Sequence, residues 1–332
     1  METTTSIGTI DKTYVLEKEI GKGGTSTVYL ARKKNENYKK TYAIKLLNSD
    51  ISVEDQERLL NAEFVVFQKL QALEEEKQFN IEKIHKRIIQ IYMVSKGEFV
   101  DSKGKQSQVN YIVMENASKG EFLDYINVDT KKGFTEKESR FIFKQILKSV
   151  YCFHLADLCH RDLKSENFMV DDNFQIKLCD FGFSSKISSK QQLSTPCGTH
   201  YYKAPELWGS NLAYDGIKVD IFALGIILFT INFGFLPFNS AQNRHINYRK
   251  LRQKQYSEFW KNIFSNSMCS LKTISNEFKD LFQKMTMHDS CNRPDIKEIL
   301  NHPWFSLDTA SSDEIKCELQ NRYFLNISKN KD

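Results

Sequence analysis

Chemistry concentrates in one stretch of this 332-residue chain, His160-Arg161-Asp162-Leu163-Lys164-Ser165-Glu166-Asn167, where an imidazole, two carboxylates, an amide and two cations share eight residues. Asp162 is a carboxylate that can receive a hydroxyl proton, and Asn167 offers an amide oxygen to a hard cation. Thirteen residues past Asn167, Asp180-Phe181-Gly182 sets a further carboxylate in a turn. A base for a hydroxyl and two oxygen ligands for a divalent ion suit phosphoryl transfer, where positioning and charge neutralisation carry the rate. An apolar helical pattern runs into the stretch and the strand-like Phe168-Met169-Val170 follows it, so rigid elements present a loop of polar groups.

Upstream, Tyr14 to Ile20 reads as a strand that meets Gly21-Lys22-Gly23-Gly24-Thr25-Ser26 and resumes as Thr27-Val28-Tyr29-Leu30-Ala31. A glycine pair of this kind is weak on its own. The β-branched and aromatic residues after it predict a hairpin rather than the helix a dinucleotide fold would open. Glycines there let backbone N–H groups close over phosphates. Next, Thr41 to Leu47 is an apolar strand with one lysine, Lys45, inside it. In isolation that is a snorkelling surface lysine. With the glycine hairpin before it and a well-placed carboxylate after it, a phosphate contact is the better reading.

That carboxylate is Glu63. A helix predicted to begin at Ser52, with Asp55 completing the cap, carries Leu59, Leu60, Phe64, Phe67 and Leu70 as one apolar face. Glu63 is flanked by that stripe, and a buried carboxylate without a partner is costly. A Lys45–Glu63 ion pair satisfies both groups. The polar insertion 74–83 is expected to extend the helix or form a loop, and the hairpin 101–108 is expected to be mobile. Tyr111 to Glu115 is a strand, followed by Asn116-Ala117-Ser118-Lys119-Gly120, a composition shift that suits a linker. Beyond it, Thr135-Glu136-Lys137-Glu138 is a capping box for a helix with Ile142, Ile146, Val150 and Phe153 on one face. From Val219 onward the pattern is helical. The expected fold class is therefore α+β, a bilobal arrangement of a small β-rich N-lobe with one main helix and a larger α-helical C-lobe, with a cleft between them.

Composition bounds the rest. With 40% hydrophobic and 12% aromatic residues the chain can bury a sizeable core. Lys and Arg, 47 in all, are interleaved with 42 Asp and Glu for a net charge of +5, so no nucleic-acid partner is expected. Seven scattered cysteines without a C-x-x-C pair fit reduced thiols rather than a disulfide frame or a zinc site. Met1 to Lys12 is polar with no apolar signal core, and Glu2 excludes N-myristoylation. The most apolar segment, Ile221 to Ile231, is eleven residues long, about half a bilayer span, and is expected to be a core helix. The expectation is a soluble protein of the cytoplasm, with the nucleus also open, and no membrane partner.

In order along the chain stand Gly21-x-Gly23, Ala43-Ile44-Lys45, Glu63, His160-Arg161-Asp162, Asn167, Asp180-Phe181-Gly182, Ala204-Pro205-Glu206, Asp220 and Arg293. This ordered set resembles the catalytic domain of eukaryotic protein kinases. The resemblance covers residues 14–305 (N-lobe 14–115, C-lobe 120–305), between a polar N-terminal lead, 1–13, and a polar C-terminal tail, 306–332. It implies an ATP-dependent enzyme with Mg²⁺ as cofactor. Lys45, braced by Glu63, would hold the α/β-phosphates. Asp162 would orient the substrate hydroxyl, Lys164 would neutralise the γ-phosphate, and Asn167 with Asp180 would hold Mg²⁺. Ile20, Gly21, Lys22, Gly23 and Gly24 would cover the nucleotide, and Met114 would gate the back of the adenine pocket. Glu115 and Ala117 would offer backbone groups to adenine, Val28, Ala43 and Met169 would sandwich the ring, and Glu121 would meet the ribose. Phe67, Ile91, His160 and Phe181 would stack as an apolar spine on Asp220.

Lys164 and the segment Gly198 to Glu206 resemble serine/threonine rather than tyrosine kinases, with Thr199 expected to contact Asp162 and Lys164, and Arg293 to pair with Glu206. Protein substrates with Ser or Thr acceptors follow from the same resemblance. Glu121 and Glu166 resemble acidic residues that read an arginine upstream of the acceptor. Arg161 is expected to lack a partner until an upstream kinase or autophosphorylation puts phosphate on Thr195, with Ser194 as runner-up and Lys186 as a second contact. Asn301-His302-Pro303-Trp304-Phe305 resembles the calcium/calmodulin-dependent-kinase-like group. The tail lacks a strongly basic amphipathic helix, so calmodulin control is not expected, although part of 314–325 is expected to form a short helix on the lobe. Ser165 and Phe222 depart from the family pattern, which usually has proline and tryptophan there. A pseudokinase scaffold and a small-molecule or lipid kinase are the competing readings. The intact Lys45, Asp162, Asn167 and Asp180 weigh against the first, and the Gly198 to Glu206 segment against the second.

Overall fold

The computed structural model describes residues 6–36, 40–75, 86–126, 133–187, 193–209, 213–265 and 273–329. The chain divides into two compact units, Met1–Ser118 and Lys119–Asp332.

The first unit is a closed antiparallel barrel with one long helix. Its strands are β1 (Gly8–Ile10), β2 (Tyr14–Lys22), β3 (Ser26–Lys33) and β4 (Tyr42–Leu47), then, after helix α1 (Val53–Glu75), β5 (Ile91–Asp101) and β6 (Gln106–Glu115). The order around the barrel is β1-β2-β3-β4-β6-β5. Part of the polar lead thus becomes structure: β1 pairs with both β2 and β5 and removes the two open edges a five-strand sheet would leave. Ile10 is fully buried beside Leu16, Ala31, Ile44 and Val113. Asp11, just after β1, accepts the Glu98 N–H at 2.7 Å and the Tyr111 hydroxyl at 2.7 Å. Burial and that bond to Asp11 push the Tyr111 hydroxyl up to about 12.

Helix α1 starts where its cap was expected, the Asp55 N–H donating to Ser52 Oγ at 3.1 Å. Its buried stripe is Leu59, Glu63, Val66 and Leu70, while Phe64 is 40% exposed. The buried face therefore differs in part from the face read in the sequence. Leu59 and Leu70 are buried as read and Glu63 lies among the stripe that flanks it, but Val66 is the third buried apolar residue rather than Phe64. Only Glu74 and Glu75 of the polar insertion fall on α1, and the segment 76–85 lies outside the described residues. The β5–β6 turn is pinned by the Asp101 carboxylate, which accepts the N–H groups of Lys103 and Lys105.

The second unit is helical with short strands. Helix α2 (Glu136–Leu155) leads to β7 (Leu158–Cys159), β8 (Phe168–Val170), β9 (Ile176–Leu178) and β10 (Ser185–Lys186). Helices α3 (Gly216–Phe233), α4 (Ile246–Arg252), α5 (Tyr256–Phe264), α6 (Asn276–Met285), α7 (Ile296–Leu300) and α8 (Ser312–Lys329) follow. The capping box of α2 forms as its sequence requires, with Thr135 and Glu138 exchanging bonds. Among the described residues α3 alone is long and apolar enough to cross a membrane, and 89% of that stretch is buried, which makes it the core helix of this unit. Strand β7 pairs with β10 and β8 with β9, so the polar stretch at 160–167 is held between two small ribbons. The tail helix α8 is longer than the short helix expected. It buries Ile315 and Leu319, and Arg322 lies 3.8 Å over the Phe134 ring while donating to the Tyr125 carbonyl at 2.8 Å.

Candidate active site

In the barrel, Lys45 sits on β4, a strand buried at every position. Its ammonium donates to Glu63 Oε1 at 2.9 Å, and the two residues are 8% and 3% exposed. The strand register sets Lys45 opposite Val28 and Ala43 opposite Met114, so one patch of sheet carries four of the expected nucleotide residues. Ile91 pairs with Met114 as well. Phe67 lies on α1, two turns after Leu59. The Glu115 N–H is committed to the Gln90 carbonyl at 2.8 Å, and Ala117 follows as a buried residue.

The glycine turn joins β2 to β3. Lys22, Gly23 and Gly24 are exposed, and so is Ile20 at 45%. A Cβ on Gly24 would meet nothing within 4 Å, and one on Gly23 only the Ser26 carbonyl at 3.7 Å. None of the three glycines is needed for left-handed backbone; what their lack of side chain leaves is open space over the turn. A residue that the sequence reading overlooked sets this turn. Asn48 donates to the carbonyls of Gly23 (3.3 Å) and Gly24 (3.2 Å), and its own oxygen accepts from Thr27 Oγ1.

In the helical unit the stretch at 160–167 hangs on one carboxylate. Asp220, fully buried on α3, accepts the N–H groups of His160 and Arg161, each at 2.8 Å, and His154 Nε2 at 3.0 Å. Arg161 has φ 67°, a left-handed conformation that costs about 1–3 kcal/mol and persists only under such constraint. The His160 ring packs on Phe153 and Phe181, and Phe153 stacks on Phe181 at 5.3 Å. His160 is thereby part of the core, and Asp180, also left-handed at φ 62°, is anchored through the buried Phe181 next to it.

Around Asp162 the groups converge. Its Oδ1 accepts the Thr199 N–H at 2.7 Å and the Thr199 hydroxyl at 2.8 Å, and its Oδ2 accepts Lys164 Nζ at 3.0 Å. Lys164 also donates to Thr199 Oγ1 at 3.1 Å. Burial pulls the Lys164 ammonium down, but Asp162, with Asp180 and Glu166 behind it, outweighs burial and holds it above the usual lysine range. Gly198, at φ 99°, is required here: a Cβ would stand 2.8 Å from the Arg161 carbonyl and push Thr199 away. Asn167 donates Nδ2 to the Asp162 carbonyl at 2.8 Å, which turns the amide so that Oδ1 is the atom left for a ligand. Asn167 Oδ1 and the Asp180 carboxylate are hard oxygen donors. Such a pair suits Mg²⁺, which keeps waters and substrate phosphate oxygens in its remaining positions. Among the described residues no cluster of three or more His, Cys, Asp or Glu competes as a metal site.

Glu121 forms a β-bridge with Met169, so the expected ribose and adenine contacts of this unit are neighbours. Partial burial and the carboxylates of Asp124 and Glu166 push Glu121 up, with Lys164 opposing. Ser165, without an evident role in the sequence, is fully buried, and its Oγ accepts from the Tyr202 hydroxyl, which also reaches Glu166 at 3.3 Å. Glu206 and Arg293 form the expected buried pair, bidentate at 2.7 Å on both arms. Phe222 fills the position of the usual tryptophan, with Arg293 5.0 Å over its ring.

Arg161 differs from expectation. It has partners without any phosphate, donating Nε to the Phe183 carbonyl at 2.7 Å and an Nη to the Tyr214 hydroxyl at 3.1 Å, while Tyr214 donates to the Thr195 carbonyl at 2.9 Å. A half-buried guanidinium takes whatever acceptors are in reach, and these are neutral. The Thr195 side chain itself is exposed.

These two sets of groups match a known family. The protein kinase domain model matches residues 14–305. The serine/threonine-protein kinase SIK3 homolog of Danio rerio is 32% identical over 291 residues, 88% of this chain and 21% of that protein. The probable serine/threonine-protein kinase MARK-A of Dictyostelium discoideum is 30% identical over 316 residues, 93% of this chain and 26% of its own. NUAK family SNF1-like kinase 1 of Homo sapiens is 30% identical over 300 residues, 90% and 39% respectively. The chain therefore spans about a fifth to two fifths of the length of these relatives. They are serine/threonine kinases of the kind the C-terminal motif resembles, the calcium/calmodulin-dependent-kinase-like group. With a matched span that takes in both units, from Tyr14 to Phe305, this chain belongs to the protein kinase domain family.

Proposed function

We propose that the protein is a serine/threonine protein kinase that transfers the γ-phosphate of ATP to Ser and Thr hydroxyls of protein substrates. The observation that carries this is the closed triangle of Asp162, Lys164 and Thr199, a carboxylate oriented by three donors, one of them an ammonium. Asp162 orients the acceptor hydroxyl and takes its proton. Lys164 supplies positive charge where the transferring phosphoryl group gathers negative charge, and Asp162 beside it keeps burial from lowering that charge. Lys45, fixed by Glu63, holds the α/β-phosphates, and the backbone of Gly21, Gly23 and Gly24 covers them. Asn167 and Asp180 would hold Mg²⁺, which would supply positive charge against the phosphates. Ile20, Lys22, Val28, Ala43, Met114, Glu115, Ala117, Glu121 and Met169 are assigned to the rest of the nucleotide.

The catalytic domain is assigned to 14–305, with work in the cytoplasm. Substrates with an upstream arginine are favoured, since Glu121 and Glu166 reinforce each other's field. Phosphate on Thr195, from an upstream kinase or from autophosphorylation, would draw Arg161 off the neutral Tyr214 hydroxyl and order the segment. A positional peptide scan with Mg-ATP, before and after phosphatase treatment, tests these points together, with Asp162→Asn as control. Transfer that survives in Asp162→Asn would refute the assignment of the base. Full activity in Thr195→Ala would refute the switch.

A further inference from the structure

From Arg244 to Lys254 the interleaving of charge breaks: Arg244, Arg249, Lys250, Arg252 and Lys254 fall within eleven residues that contain no carboxylate. Arg244, Arg249, Arg252 and Lys254 are exposed. Among the described residues none of these four has a salt-bridge partner, and Lys250 alone is paired, with Glu258 at 3.3 Å. Arg249 and Arg252 stand three apart on α4, where like charges repel, so the helix carries a destabilising arrangement that its own fold does not use. With Asn243 and Gln253 they line an open concavity of about 500 Å³.

The segment that meets Asp162 approaches this surface at His200, which acts together with Arg244 on the His245 imidazole. Beyond Thr199, His200 is edge-on to Trp208 at 4.9 Å, and the Lys203 ammonium lies 5.0 Å over the same ring. Lys203 is four residues from Thr199, hence at most about 14 Å along the chain from the residue bonded to Asp162. His200 is also near His245: burial, then Arg244 and His200, hold the His245 imidazole below the usual histidine range. His245 Nε2 is buried and has no hydrogen-bond partner. One cationic strip thus starts beside the phosphate acceptor position and ends on α4.

We propose that the strip from His200 and Lys203 to Arg244, Arg249 and Arg252 docks an acidic segment of the protein substrate, C-terminal to its phosphoacceptor. The inference rests on the kinase reading of Asp162. The side follows from it too: Glu121 and Glu166 are assigned to basic residues on the N-terminal flank, which leaves the C-terminal flank for the cations. The substrate would then be dipolar, basic before its acceptor and acidic after it.

The test uses three fluorescent peptides with a common upstream arginine and serine: one neutral, one with a run of glutamates after the serine, one with the run before it. Anisotropy with the whole chain gives Kd, and Mg-ATP turnover gives kcat/KM. The peptide with glutamates after the serine is expected to bind at least about tenfold more tightly than the neutral one, with the advantage shrinking as salt rises. Arg249→Glu with Arg252→Glu should erase the advantage and leave turnover of the neutral peptide unchanged. Equal Kd for all three peptides overturns the proposal, as does a preference for glutamates before the serine or an equal loss for every peptide in the variant. So does tighter binding of a single-stranded oligonucleotide that the same variant abolishes, which would make the strip a nucleic-acid surface. Turnover of all three peptides without the binding advantage refutes docking alone. An intact advantage without any turnover refutes the kinase reading alone.

Discussion

Cutting either end of the Lys45–Glu63 pair separates its part in holding the barrel together from the phosphate contact proposed for Lys45. The charges stand 2.9 Å apart with side chains only 10% and 4% exposed. At an effective dielectric of ~20 their attraction is about 6 kcal/mol. Removing both from water costs several kcal/mol each, so the intact pair lies near balance against an apolar replacement. Removing one partner takes from the other its opposite charge at 2.9 Å, at about 3–5 kcal/mol. Glu63→Leu and Lys45→Met should therefore each lower Tm by roughly 6–20 °C, at about 2–4 °C per kcal/mol. The double variant should recover most of the loss, because no unpaired charge is left buried. Turnover should behave differently. Both single variants and the double should lose at least about a hundredfold, since each removes or misplaces the ammonium proposed to position phosphate. Thermal melts and radiolabelled phosphate transfer read the two properties separately. If the Tm losses simply add in the double variant, the pair is not an energetic unit. If Lys45→Met turns over at the parental rate, the phosphate assignment is wrong.

Thr199→Val keeps the backbone bond to Asp162 but removes the hydroxyl that links it to Lys164; one hydrogen bond to a charged group is worth about 1.5–3 kcal/mol, so kcat should fall roughly 10- to 100-fold, and Thr199→Ser should restore it. A Ser variant as slow as Val would mean the methyl group, not the hydroxyl, matters. Glu206→Ala leaves the Arg293 guanidinium, 2% exposed, without its carboxylate and should cost about 3–5 kcal/mol in urea unfolding; a loss under 1 kcal/mol would show that the carbonyls of Met287 and Lys218 suffice. Asp11→Ala frees the Tyr111 hydroxyl and the Glu98 N–H, and should lower stability by about 1–3 kcal/mol while leaving KM for peptide unchanged; an unchanged melt would mean that β1 contributes nothing to the barrel.

Much of this was legible in the sequence because the chemistry constrains residue type as well as position. Thr135 with Glu138 and Ser52 with Asp55 form caps that local geometry alone enforces, and the structure has both. Glu63 could be paired with Lys45 because a carboxylate on a buried stripe needs a cation. Phe64 was read into that stripe in place of Val66, however, since Phe64 is as apolar as Val66 and only the packed helix decides which of them faces inward. Strand β1 has three residues, too few for a period-2 pattern to register. Helix α8 is held by Arg322 on Phe134 and by Tyr323 stacked on Tyr125, contacts that bring together residues about two hundred positions apart. The run of cations at 244–254 was visible but diluted, because charge balance taken over the whole chain hides a local excess.

The least legible feature is the one that makes the catalytic stretch work. Nothing in His160-Arg161-Asp162 indicates that its backbone must turn left-handed at Arg161, or that a carboxylate sixty residues away holds it there. Asp220 spends both oxygens on that task, taking two backbone N–H groups of the loop and the His154 ring at the end of α2. Helices α2 and α3 thus share one anchor with the loop between them, so a shift of either would reach Asp162 through two peptide units. Arg161 pays for the turn with strained backbone, and in return its side chain points its charge at Phe183 and Tyr214, the edge of the segment that carries Thr195. The strain that fixes Asp162, the proposed base, and the contact that would sense a phosphate are thereby properties of the same residue. A substitution that relaxed the backbone at Arg161 would disturb both together, whereas one that only neutralised its side chain would leave Asp162 in place.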